Sequence, residues 1–290
     1  MRKESINVSA DTVKKILKEM NYSLKINYKK IESNPKKVNR ESKLKRNIQF
    51  EYIEQQRNEH HRRKDSIISI DAKKRELVGN FKNNGVTWCK EKRIVNAYDF
   101  RSFASGVAIP YGIYDTSLNT GFVVIGVNYN TAEFAVNSIE KWWKSKENKT
   151  SDNNSILILA DGGGSNSSKS KLWKTCIQNI LCNKYNLEVT VCHYPTGTSR
   201  YNPIEHRLFS EISKNWAGEP LKNYETILNY ISTTTTITGL KVNSELDRTE
   251  YEKGIKIPAK EMKKINIKYH SVLPEWNYTI RPSESEVIFR

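Results

Sequence analysis

Residues 155–166 read SILILADGGGSN, and the fold class follows from how this stretch is read. Ser155–Ala160 is a continuous apolar run with no alternation, as expected of a strand covered on both faces. Asp161 ends that run directly before Gly162, Gly163 and Gly164. The glycines lack the Gly-Lys-Ser/Thr end of a phosphate-binding P-loop and the spacing of a dinucleotide fingerprint. Their use is then to let another backbone come close to Asp161, because glycine has no Cβ to hold it off.

Working outward, a helix through Leu172, Trp173, Cys176, Ile177 and Ile180 leads to a second buried strand, Leu187–Cys192. Upstream, Ser66–Asp71, Arg75–Phe81, Gly106–Tyr114 and Gly121–Val127 are short runs rich in β-branched or aromatic residues. KNNG and DTSLNT supply turns among them, so they predict an antiparallel meander. Thr131 is placed to cap a helix carrying Phe134, Val136, Ile139, Trp142 and Trp143, its double tryptophan read as core. Strands, helix, strand, helix, strand, helix is the order of an α/β domain with a mixed sheet.

Nearer the N-terminus, Ser9 is a good cap for a helix starting at Ala10. Val13, Ile16, Leu17 and Met20 make one apolar stripe, with Lys14, Lys15 and Lys18 on other faces. Residues 33–40, with Pro35, read as a linker. Glu41–Arg63 reads as a charged helix whose His60 and His61 lie on a solvated basic face. The first 65 residues are the denser in positive charge, so the division expected is 1–65, a basic helical region, 66–240, the α/β domain, and 241–290, a C-terminal extension.

The whole chain has 290 residues, with 48 Lys and Arg against 32 Asp and Glu, a formal charge of +16. Such a balance favours a polyanionic partner, since cations gain affinity by releasing counterions from phosphates. No apolar run approaches the roughly 20 residues of a membrane span, and no signal-peptide pattern opens the chain. A cytoplasmic protein with no membrane partner is expected. The cysteines at 89, 176, 182 and 192 form no Cys-x-x-Cys pair, and Cys176 and Cys182 read as small buried hydrophobes.

Three acids occupy special places. Asp71 ends the first strand, Asp161 ends the central one, and Glu205 lies in NPIEHRLF after a loop rich in turn formers, YPTGTSRYNP. Asn202 is a natural N-cap and Pro203 a natural first helical residue, which puts Glu205 on the first turn of a helix. Taken singly, each has a plainer explanation: a turn acid, the opening of a glycine loop, a helix N-terminal charge. Together they are more specific. Carboxylates at neighbouring strand ends, joined by one from a later helix, repel unless cations neutralise them. Mg²⁺ prefers hard oxygen ligands, and a pair of such ions suits phosphodiester chemistry.

The order strand-Asp71, DGGGSN at 161–166, HYPTGTSRYNPIEHRLFS at 193–210, NW at 215–216 and TGLKV at 238–242 resembles the DDE transposases of bacterial insertion sequences. The nearest resemblance is to the Rhodopirellula-type transposase DDE domain family of ISAzo-type elements. SRYNPIEH is also similar to the third acidic motif of mariner-like transposases. The resemblance covers most of residues 5–280 and is densest over 155–245. It implies an RNase H-like fold with strand order 3-2-1-4-5, and a triad Asp71, Asp161 and Glu205 holding two Mg²⁺ or Mn²⁺ ions. The activity it implies is DNA cleavage and strand transfer by a homo-oligomer on element ends and target DNA. Asp99 in NAYDF is the rival for the first acid, and Asp71 is preferred because it ends the first strand. The family carries a longer N-terminal region with a full helix-turn-helix unit. Only its last helix is recognisable here, so a shortened chain and a DNA-binding remnant are expected.

Further residues follow with less weight. His206 is a candidate accessory to metal or phosphate, which helix capping or packing explains as well, and His193, flanking the loop before Glu205, is a further candidate accessory. Arg200, Arg207, Lys73 and Lys74 are candidate phosphate contacts, as are Lys14, Lys15 and Lys18. Ser165 and Asn166 are candidates for orienting Asp161 or the substrate. Two other readings remain open: a transposase-derived DNA-binding protein without catalysis, and an RNase H-like nuclease acting on RNA–DNA hybrids.

Overall fold

The computed structural model describes residues 8–22, 40–146 and 154–283. The chain divides into two compact units, Met1–Lys37 and Val38–Arg290. The described part of the first is one helix, α1 (Ala10–Glu19), capped as its sequence suggests: the Ser9 hydroxyl accepts the Thr12 N–H at 3.2 Å. The expected linker at 33–40 lies almost wholly outside the described residues.

The second unit begins with α2 (Arg40–Arg62) and is built on nine strands. These are β1 (Ser66–Ala72), β2 (Glu76–Val78), β3 (Gly106–Asp115), β4 (Thr120–Gly126), β5 (Ser155–Asp161), β6 (Glu188–Tyr194), β7 (Lys241–Asp247), β8 (Ile267–Tyr269) and β9 (Asn277–Ile280). The sheet order is β7-β4-β3-β1-β5-β6-β9-β8, with β2 paired to the start of β3. Leaving out that short strand, β4-β3-β1-β5-β6 is the expected 3-2-1-4-5 order. β1, β5 and β6 run parallel, while β3 is antiparallel to β1 and β4. This is the RNase H-like arrangement, enlarged from five strands to nine. The segment read as a C-terminal extension supplies both edges: β7 adds to β4 in parallel, and β9 adds to β6.

Side-chain alternation divides the core between the two faces. On one face Ile68, Ile70, Tyr111, Ile113, Ile156, Ile158 and Val191 pack against α3 (Ala132–Ser145) and α4 (Lys171–Cys176), including the buried Trp142, Trp143 and Trp173. On the other, α2 lays Ile53 over Ile67, Leu157, Leu159, Cys192 and Tyr194. Beside it, a helix running from Pro203 through α5 (Ser210–Asn215) joins α6 (Tyr224–Ser232) in covering Ala108, Tyr114, Val123, Ile125 and Val242. The compact unit therefore starts well before Asp65, because α2 has a buried side that its dense charge conceals in the sequence. His60 shows this directly. It is buried, with Nδ1 at 2.9 Å from Asp65 Oδ2, whereas His61 is exposed. Cys176, Cys182 and Cys192 are buried, their thiols pushed up by burial, and Cys89 is exposed. Among the described residues no helix is long and apolar enough to cross a membrane.

Gly112 and Gly121 let the 203–215 helix sit close on the sheet. A Cβ at Gly112 would lie 2.6 Å from Phe209 Cε1 and 2.8 Å from Ile204 Cδ1, and one at Gly121 would lie 2.5 Å from Leu208 Cδ1. Gly112→Ala is accordingly expected to destabilise the protein by about 1–3 kcal/mol through overpacking, read as a lower denaturant midpoint at unchanged slope.

Candidate active site

β1 and β5 pair in parallel with Ile70 opposite Ala160, so Asp71 and Asp161 come next on both strands, level with each other and on one face. β6 ends at the same edge, with Tyr194 opposite Asp161. The chain then turns through Pro195–Tyr201 into the helix that carries Glu205. Three separate elements thus deliver the three acids to one sheet edge.

The side chains feel one another. Asp71 is pushed up to about 8, first by burial, then by the charges of Asp161 and Glu205. The Ala72 N–H donates to Asp71 Oδ1 at 2.7 Å and partly offsets the rise. Asp161 is also raised, by burial, against a hydrogen bond from the Gly163 N–H. Asp99, the rival, is exposed in the loop before Arg101–Phe103, lining a surface cavity with Lys74, Arg75 and Phe81. It is absent from the charges that shift Asp71.

Among the described residues no group of three or more His, Cys, Asp or Glu is drawn together in metal-ligating geometry. The donor set, three carboxylates and no sulfur or imidazole, suits a hard divalent ion. The residues present fit Mg²⁺ or Mn²⁺ in their chemistry.

Glu205 is placed by a buried clamp. Asn202 occupies the cap position, but its side chain turns to β1 instead of the helix. Its Nδ2 donates to the Ile70 carbonyl at 3.1 Å, and its Oδ1 accepts the Ser69 hydroxyl. Ser69 Oγ in turn accepts the Ile204 N–H at 3.0 Å, so the strand caps the helix. Glu205 then opens a turn of π-helix, Glu205–Phe209, a wider form frequent at functional sites.

Asp161 is placed by His193, which is fully buried. Its Nδ1 lies 3.1 Å from the Asp161 carbonyl and its Nε2 3.2 Å from the Tyr278 hydroxyl. That hydroxyl accepts Trp173 Nε1–H at 2.9 Å and is left to donate to Nε2, so the imidazole is neutral with its proton on Nδ1. Burial holds His193 down at about 4, which agrees. Gln49 of α2 donates to the His193 carbonyl at 2.9 Å and to Asn277 Oδ1 at 2.8 Å, and the His193 N–H donates to the Trp276 carbonyl. His193 is therefore a structural hub and does not face metal or phosphate.

The remaining sequence candidates separate. Asn166 is buried, its Oδ1 accepting the Tyr111 hydroxyl at 2.7 Å, so it braces the glycine loop and is no surface contact for DNA. Lys73 is largely buried, 3.6 Å from Glu76 and 4.7 Å over the Trp216 ring, and burial lowers it. It is not a solvated cation. Lys74 is exposed. Arg200 stacks on Tyr201, and its carbonyl is in contact with His206 Nε2. His206 and Arg207 are exposed beside Asn119 and the Thr235–Thr238 loop, around a surface cavity of about 610 Å³. Lys14, Lys15 and Lys18 are exposed on α1. The residues that sequence reading misses are Ser69 and Gly112. A polar residue two positions before Asp71, on the same face of an otherwise apolar strand, is the signal that could have found Ser69.

The chain belongs to the Rhodopirellula transposase DDE domain family, whose model matches residues 1–282. No curated protein matches the sequence. Solved structures it resembles include the mariner Mos1 paired end complex with Mg, at 15% identity and a TM-score of 0.47, and a pre-cleavage Mos1 transpososome, at 15% and 0.46. Each likeness covers 77% of this chain and 62% of the Mos1 chain, so this chain spans about three-fifths of that length.

Ser69→Ala would leave the Ile204 N–H and the Asn202 carboxamide oxygen buried without their partner. The expected loss is about 1–3 kcal/mol of stability, measured by denaturant unfolding.

Proposed function

We propose that this chain is a metal-dependent DNA transposase in which Asp71, Asp161 and Glu205 hold two Mg²⁺ or Mn²⁺ ions. It would cut the ends of an insertion sequence by hydrolysis and join the freed 3′-hydroxyl to target DNA. The observation that carries this reading is the delivery of Asp71 and Asp161, in register on adjacent parallel strands, to one place where the Asp161 and Glu205 charges both raise the Asp71 carboxyl. When bound, the ions supply Lewis-acid polarisation of the phosphodiester and charge neutralisation at the leaving oxygen.

In this reading the protein's own residues orient and exclude. The Ser69–Asn202 clamp fixes the Glu205 helix on β1, and His193 fixes the strand end that carries Asp161. Gly162, Gly163 and Gly164 leave room for a DNA backbone beside Asp161. Exposed Lys74, Arg200 and Arg207, with Lys14, Lys15 and Lys18 of α1, hold DNA phosphates, which positions the strand without reading its sequence. The assembly at work is a homo-oligomer on DNA, consistent with the family.

Asp161→Asn tests the reading. Removing one anionic ligand at nearly constant volume is expected to abolish Mg²⁺-dependent cleavage and joining of a cognate DNA end, while DNA binding changes less than about threefold. Cleavage retained in that variant would overturn the mechanism. Cleavage of an RNA–DNA hybrid with no strand transfer by the unaltered protein would favour a nuclease instead.

A further inference from the structure

The long connection between β2 and β3 carries an aromatic and basic surface that the proposed chemistry does not use. Val86, Trp88 and Ile94 are almost fully exposed, and Tyr98, Phe100 and Phe103 are more than half exposed. Trp88 differs from the other tryptophans. Trp142, Trp143, Trp173 and Trp216 are buried, and Trp276 is half-buried. Tyr98 stacks on Phe100 at 5.4 Å between ring centroids, and Phe103 meets Phe100 edge-on at 5.5 Å. Exposed apolar residues grouped in this way mark a binding surface more often than scattered ones do.

The loop is held firmly at its base. Asn83 Nδ2 donates to the Trp216 carbonyl at 2.9 Å, the Gly218 N–H donates to the Asn84 carbonyl at 2.8 Å, and Arg93 pairs with Glu219. A Cβ on Gly218 would come within 2.9 Å of the Thr87 nitrogen, so the 216–219 turn closes tightly under Val86–Trp88. The exposure of Trp88 thus belongs to an anchored loop.

Position and charge indicate what the loop meets. Asp71 pairs with Gly112, and β3 continues back from there to Gly106. The loop therefore leaves the sheet beyond the edge that carries the carboxylates. Lys82, Lys90, Lys92, Arg93 and Arg101 outnumber Glu91 and Asp99 in it, and all seven are exposed. Cations interleaved with exposed aromatic rings are the chemistry of an unpaired nucleic-acid strand, with phosphates on the cations and bases on the rings.

We propose that the Trp88 loop is a stacking platform for unpaired DNA bases next to the cleaved strand. The proposal rests on the transposase reading of the carboxylate edge, but its binding step needs no metal. The test uses the full chain in EDTA with a thymidine oligonucleotide of about 20 nucleotides, longer than a typical single-strand site. Binding is read by anisotropy of the labelled oligonucleotide and by quenching of tryptophan emission. Trp88→Ala is expected to weaken binding about 5- to 100-fold and to remove the quenching, and Trp88→Phe to restore most of the affinity. The Lys90→Gln/Lys92→Gln double variant should weaken binding and lower its salt dependence, which keeps the test available should Trp88→Ala misfold. Unchanged affinity in Trp88→Ala, or in the lysine variant, would overturn the proposal. So would a change of oligomeric state in Trp88→Ala at unaltered affinity, which would assign the loop to a second copy of the chain. Lost oligonucleotide binding beside intact Asp161-dependent cleavage bears on the loop, and lost cleavage beside intact binding bears on the carboxylates.

Discussion

Repulsion between like charges at the end of a parallel strand pair is the constraint around which this structure is organised. Neighbouring strands lie about 5 Å apart, and two carboxylates at that spacing repel by roughly 3 kcal/mol at an effective dielectric of about 20. β1 and β5 place Asp71 and Asp161 in this relation, and a helix adds Glu205. A fold selected for stability alone has no reason to gather three acids at a half-buried edge. Part of their cost appears in the Asp71 carboxyl, which burial first and then the Asp161 and Glu205 charges push up to about 8.

What resists that repulsion is neutral and buried. Ser69 and Asn202 tie the helix to β1 by hydrogen bonds that reach no water, and His193 ties the end of β5 to β9 and α2. Such networks are rigid when every member is satisfied, and here the partners come from elements far apart in sequence. Gly112 allows the same helix its close approach by leaving a space that Ile204 and Phe209 fill. Polar clamps and apolar packing therefore converge on residues close to the acids, Ile204 next to Glu205 and Ser69 two positions before Asp71.

Much of this was legible in the sequence. The unbroken apolar run SILILA announced the central strand, the turn formers around the meander gave the antiparallel half, and strand-end position picked out Asp71 and Asp161. The misreadings share one physical cause: burial created by distant partners. α2 looked like a solvated basic helix because charge dominates its composition, yet one side carries Ile53 and His60 into the interior. Residues 241–280 lack the apolar density of the central strands because β7, β8 and β9 lie toward the sheet edges. His193 and Asn166 looked like site residues because polar groups beside a motif invite that reading, and only the positions of Tyr278 and Tyr111 show them to be braces. Asn202 directly precedes the helix, as its residue type suggests, but its side chain serves the strand. Local capping rules do not anticipate a cap supplied from 135 residues away by Ser69.

The most direct test of the account is Mn²⁺ binding, followed by electron paramagnetic resonance, in the unaltered protein and in single variants Asp71→Asn, Asp161→Asn, Glu205→Gln and Asp99→Asn. A shared site predicts that each of the first three weakens binding by at least about tenfold, and that Asp99→Asn leaves it unchanged. Binding lost in Asp99→Asn and kept in Asp71→Asn would contradict the account and remove Asp71 from the proposed site.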